Sequence, residues 1–145
     1  MPATIYFSGS ISGGRADLAH YRRIVEALEA DGHRVIAGAV TAADVGSEGE
    51  SLAPAAIFDR DLSGVAGSHV VVAEVSTPSI GVGYEIAAAR YRYGIPVICL
   101  YRPAYTRRCS AMVAGDRGIE TIEYTDEAFP AMLDRLRTAL SRIGE

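Results

Sequence analysis

The chain has no tryptophan, three phenylalanines, three histidines and two cysteines among 145 residues. Each scarcity removes a class of protein. Cys99 and Cys109 are too few for a disulfide framework, and Cys99 sits in an apolar run where cysteine behaves as a small buried hydrophobe. No Cys-x-x-Cys, His-Glu-x-x-His or similar ligand spacing occurs, and His20, His33 and His69 are scattered, so neither a metal nor a cofactor is expected. No apolar stretch is long enough for a membrane helix. Thr4–Phe7 is too short for a signal-peptide core, so a cytoplasmic location is expected. Positive charge is not in excess: 14 Lys and Arg face 18 Asp and Glu, a net charge of −4, so no basic field suits nucleic acid. What is abundant is apolar residues, 49% of the chain, enough for one globular domain over residues 1–145 with a real core.

Read in order, strands alternate with helices. Thr4–Ser8 is β-branched and aromatic, a first strand. After the loop Gly9–Arg15, Asp17 is placed to cap a helix whose apolar residues fall at Leu18, Tyr21, Ile24, Val25 and Leu28. Gly32 ends it, and Arg34–Val40 is a second strand. The polar segment Thr41–Glu50 reads as a solvated loop or lid. Leu52–Val65 is helical with Pro54 in its first turn. Val70–Val75 is almost wholly apolar, the mark of a central strand covered on both faces, with Glu74 the exception near its end. A helix over Gly83–Tyr93 follows, closed by Gly94. Pro96–Tyr101 is the fourth strand, Tyr105–Ala114 is ambiguous, Ile119–Tyr124 is a candidate edge strand, and Glu127–Ile143 is a closing amphipathic helix. The expected fold is α/β: a parallel five-stranded sheet with helices on both faces.

A flavodoxin-like strand order, 2-1-3-4-5, puts a ligand crevice between the first and third strands. The loops after those strands, Gly9–Arg15 and Ser76–Gly83, are also the richest in Gly and Ser. Neither has dinucleotide or triphosphate-loop spacing, so a monophosphate or small anion fits better. Ser79, Gly81 and Gly83 offer a hydroxyl and backbone N–H groups, although the same composition suits a plain tight turn. Glu85 is expected in the first turn of the following helix, beside any anion the loop holds. Tyr6 lies near the carboxyl end of the first strand, where a tyrosine serves the core or the crevice. Asp61 falls in Phe58-Asp59-Arg60-Asp61-Leu62, and spacing does not choose it over Asp59. Cleaving a glycosidic bond needs two carboxylates, one at the sugar and one for the proton, and Glu85 with Asp61 would make such a pair.

The stretches Tyr6-Phe7-Ser8-Gly9-Ser10-Ile11, Gly13-Gly14-Arg15, Ala73–Glu85 and Cys109-Ser110-Ala111-Met112 together resemble the 2′-deoxynucleoside 5′-phosphate N-hydrolases of the nucleoside 2-deoxyribosyltransferase superfamily. The most specific part is Pro78-Ser79-Ile80-Gly81-Val82-Gly83-Tyr84-Glu85. The resemblance implies a flavodoxin-like, Rossmann-type three-layer sandwich working as a homodimer. It implies hydrolysis of a 2′-deoxynucleoside 5′-monophosphate to free base and 2-deoxyribose 5-phosphate. By motif, Glu85 is the nucleophile, Asp61 the second carboxylate and Tyr6 the active-site tyrosine. Ser8, Gly9, Ser10, Ile11, Gly14, Arg15, Ser79, Gly81, Gly83 and Met112 contact substrate, and Ser110 reaches the phosphate from the neighbouring subunit. This chain has Ser12 where members of the family carry an Arg, which leaves base preference open. The alternatives are a base-exchanging 2-deoxyribosyltransferase and an N-glycosidase acting on ribonucleotides such as CMP.

Overall fold

The computed structural model describes residues 2–11, 15–37, 52–103 and 108–143. Ser12, Gly14, the Thr41–Glu50 segment and the side chain of Arg15 lie outside the described residues. Five strands form one parallel sheet: β1 Thr4–Gly9, β2 Arg34–Ile36, β3 Val70–Glu74, β4 Val97–Tyr101 and β5 Ile119–Glu123, in the order β2-β1-β3-β4-β5. The expected order is the one found. Helices α1 Arg15–Ala30, α2 Pro54–Ala66, α3 Ile80–Ala87, α4 Ala111–Ala114 and α5 Phe129–Ser141 connect and follow them.

Every residue of β3 and β4 is buried, because both faces are covered. Alternation along the strands divides the interior into two cores. Ile5 and Phe7 of β1 and Val70 and Val72 of β3 pack with Leu18, Tyr21, Ile24 and Leu28 of α1 and Met132 and Leu136 of α5. Tyr6, Val71 and Ala73 face the other way, against Val65 of α2 and Val82 and Ile86 of α3. The period of 2 therefore sends Tyr6 and Ser8 to the α2/α3 face, and Glu74 to the α1/α5 face.

The starts of helices α1 and α3 differ from expectation, each for a local reason. α1 begins at Arg15, so Asp17 lies within its first turn rather than capping it, and its carboxylate bonds to Thr77 and Arg102 instead. α3 begins at Ile80, three residues before the expected start. Ser79 is extended (φ −151°, ψ 127°) and its Oγ accepts the N–H of Val82 at 3.2 Å, so it supplies the N-cap. Gly81 and Gly83 are consequently helical, and Glu85 stands in the second turn, not the first. The same helix closes in a π turn, Ala88–Arg92, and Gly94 (φ 64°) then releases the chain toward β4.

Candidate active site

β1 and α3 bring the principal side chains together. Glu85 points from α3 toward the carboxyl end of β1, where two residues of the same strand face meet it. The Tyr6 hydroxyl donates to Glu85 Oε2 and the Ser8 hydroxyl to Glu85 Oε1, each at 2.7 Å. Residues i and i+2 of a strand share a face, so one strand supplies a donor to each carboxylate oxygen. Ser8, expected among substrate contacts, thus sits on the carboxylate of Glu85.

The environment tunes that carboxyl group. Burial raises Glu85 to about 7; the hydrogen bonds from Ser8 and Tyr6 oppose the rise, and the neighbouring Asp61 adds to it. Burial first, and then the charge of Glu85, push the Tyr6 phenol far above its ordinary value, so Tyr6 remains a donor throughout the working pH range. Placed in the second turn, Glu85 also gains less from the α3 dipole than a first-turn residue would, since that effect fades within a turn.

A cavity of about 160 Å³ opens over this group. Its walls include Tyr6, Gly9, Ile11, Asp61, Ser79, Gly81 and Glu85. The structure therefore separates the two acidic residues of α2: Asp61 lines the cavity, whereas Asp59 is exposed. They lie two residues apart on a helix, about 200° around its axis, so only one can face the sheet. Arg60 holds Asp61, its Nε and Nη2 both 2.8 Å from Oδ1.

Not every expected residue joins this cavity. Gly83 does not line it, and its N–H is committed to the Ser79 carbonyl at 3.1 Å. Ser10 is buried and is not part of the wall. Ser110 lies beyond α3, in a groove of about 350 Å³ with Thr77, Pro78, Ser79, Ile80 and Gly83. Met112 lines an adjoining groove of about 640 Å³ and is 84% exposed. Ser79 is shared by the Glu85 cavity and the Ser110 groove, so within one chain it stands between the two.

Two contributors escape a reading of motifs. One is Arg60, adjacent to Asp61 in sequence and distinguished only by which carboxylate it grips. The other is Gly64, one turn after Asp61 on α2. A Cβ there would lie 2.9 Å from Tyr6 Cε2 and 3.0 Å from Cδ2, so only glycine lets α2 approach the tyrosine ring this closely. The mid-helix position of Gly64, where glycine costs about 1 kcal/mol relative to alanine, was the available signal.

The arrangement is a half-buried carboxylate held by two hydroxyl donors, next to a second carboxylate and a helix N-terminus that favours anions. It suits attack on, or stabilisation of, an electron-poor carbon in a molecule carrying negative charge.

Comparison with known proteins agrees with this fold. The family model described as nucleoside 2-deoxyribosyltransferase matches residues 5–129. The chain is 41% identical over 140 residues to the 5-hydroxymethyl-dUMP N-hydrolase of Mus musculus, covering 93% of this chain and 80% of that protein. It is 40% identical over 136 residues to the protein of the same name from Homo sapiens, covering 90% and 77%. In fold it is similar to a CMP N-glycosidase of Clostridium botulinum, with a TM-score of 0.68 at 15% identity over 94% of this chain and 98% of that one. Matched along most of its length in sequence and in fold, the chain belongs to the nucleoside 2-deoxyribosyltransferase family.

Proposed function

We propose that the protein hydrolyses the N-glycosidic bond of 2′-deoxynucleoside 5′-monophosphates, releasing free base and 2-deoxyribose 5-phosphate. The observation that carries this reading is the Glu85 carboxylate, fixed by Tyr6 and Ser8 in a cavity it shares with Asp61. Ionised Glu85 attacks C1′ of the sugar. The C1′–N bond breaks, its electron pair leaves with the base, and the base takes up a proton. Asp61 orients the sugar or handles that proton. Water then cleaves the glutamyl–sugar ester and regenerates the carboxylate. The missing 2′-hydroxyl favours the step, because a deoxyribosyl cation forms more easily than a ribosyl one.

The 5′-phosphate is assigned to Ser79 and the N–H groups of Ile80 and Gly81 in the first turn of α3. Ser110 is assigned to the same phosphate in a second copy of the chain. In support, the region around the Ser110 groove exposes Ile80 (93%), Tyr91 (78%) and Met112, an apolar surface of the kind a homodimer covers. Among the described residues no helix is long and apolar enough to cross a membrane, and a cytoplasmic setting completes the reading.

The names of the relatives make 5-hydroxymethyl-dUMP the first substrate to test, within a panel of ribo- and deoxynucleoside monophosphates whose free bases are measured by chromatography. Glu85→Ala is expected to abolish base release while nucleotide binding survives. A loss of only a few-fold would place the nucleophile elsewhere. Base exchange on unphosphorylated nucleosides would favour the transferase instead.

A further inference from the structure

A second polar cluster lies on the opposite face of the sheet from Glu85. Arg102, which follows β4, is 3% exposed. Its N–H donates to Ser76 Oγ at 2.9 Å. Its guanidinium reaches Glu74 Oε2 (3.3 Å), Asp126 Oδ1 (3.2 Å) and Asp17 Oδ1 (3.5 Å). Glu74 is fully buried; it accepts the N–H of Ser76 at 2.7 Å and the hydroxyl of Tyr124, which also meets His20 Nε2. The other oxygen of Asp17 accepts the hydroxyl of Thr77 at 2.8 Å. One buried cation therefore ties the start of α1 to the segments that follow β3, β4 and β5.

Such a cluster is a poor way to gain stability, since buried ion pairs are often matched or bettered by apolar residues of similar size. What it does that apolar packing would not is fix the hydroxyls of Ser76 and Thr77 and the N–H of Ser76, just ahead of Ser79. Thr77 is two residues ahead of Ser79, and Ser79 both caps α3 and lines the Glu85 cavity. Any slack at Thr77 is passed to Ser79 through the single stiff residue Pro78.

We propose that Thr77 is a positioning residue: anchored on Asp17, which Arg102 holds, it sets the lead-in to α3 and so the placing of Ser79 and the first N–H groups of that helix against the substrate's 5′-phosphate. This rests on the phosphate role given to Ser79 above. The catalytic face is thus indexed from the far face of the sheet, through the segment that leads into α3.

The test compares Thr77→Val, Thr77→Ser and Ser79→Ala, each in a Glu85→Gln background to prevent turnover. Calorimetry gives the Kd of 5-hydroxymethyl-2′-deoxyuridine 5′-monophosphate and of the nucleoside without phosphate, and melting temperatures check the fold. Thr77→Val is expected to weaken the nucleotide about tenfold, the scale of one hydrogen bond to a charged group. Nucleoside binding should stay unchanged, and Thr77→Ser should restore the nucleotide. Equal weakening of both ligands would make Thr77 merely structural and overturn the proposal. A selective loss with Ser79→Ala but none with Thr77→Val would overturn the positioning role alone. No selective loss in either variant would overturn the phosphate reading and the positioning role with it.

Discussion

Replacing Tyr6 by Phe removes one oxygen and keeps the ring that packs against Val65, Val71 and Gly64. The lost group is the donor to Glu85 Oε2. A hydrogen bond to a charged group contributes about 1.5–3 kcal/mol. At 1.36 kcal/mol per pH unit, its loss lifts the Glu85 ionisation by about 1 to 2 pH units. Burial already holds that ionisation at about 7. Since the nucleophile is the anion, kcat/KM rises with pH along a limb that reports Glu85, near pH 7 in the native protein. In Tyr6→Phe the limb moves to about pH 8 to 9, and at pH 7 the ionised fraction falls from about one half to between about a tenth and a hundredth. The expected loss is therefore about 5- to 50-fold at pH 7, largely recovered near pH 9.5. The assay is free base released against pH, followed by chromatography. A loss of the same factor at every pH, with the limb unmoved, would refute the reasoning: Tyr6 would then act on the substrate and not on the carboxylate.

Gly64→Ala sets a helix-propensity gain of about 1 kcal/mol against an overpacking cost of about 1–3 kcal/mol from a Cβ 2.9 Å from the Tyr6 ring. The net expectation is a lower melting temperature together with reduced kcat, and an unchanged kcat would show that the ring adjusts without disturbing Glu85. Ser110→Ala is expected to weaken monophosphate binding by several-fold and leave nucleoside binding alone; equal weakening would remove the phosphate from its role. Glu85→Gln is expected to change the pH dependence of stability. The folded-state ionisation of Glu85 is raised, so between about pH 4.5 and 7 the folded chain holds a proton that the unfolded chain has released, and native stability falls as pH rises across that window. The variant lacks this loss, so its melting temperature should gain on the native protein from pH 5 to pH 8, and a constant gap would show that Glu85 titrates normally.

Local pattern determined much of this protein. The period-2 and period-3.6 apolar runs placed five strands and their helices, because burial of one face is a local demand on spacing. Gly94 marked the end of the helical stretch after α3, and Pro54 fell in the first turn of α2, which begins at Pro54 and not at the expected Leu52, because their backbone restrictions act wherever they occur. Tyr6, Ser79 and Glu85 were legible as a set because they stand at the end of β1 and at the start of the helix after β3, which a parallel sheet of this order must bring together, whereas Ser8 was named only by the family resemblance. Packing decided the rest. Asp59 and Asp61 are equivalent in composition, and only the docking of α2 on the sheet turns one into the cavity and leaves the other in solvent. The start of α3 depended on whether the Ser79 side chain found the Val82 N–H, and that moved Glu85 from the first turn to the second. Arg102, Asp17 and Thr77 are 85 and 60 residues apart when measured from Asp17, so no local pattern couples them. A hydrogen bond or ion pair across such separations exists only after the backbone has closed the distance, whereas periodicity is written in the chain before it folds.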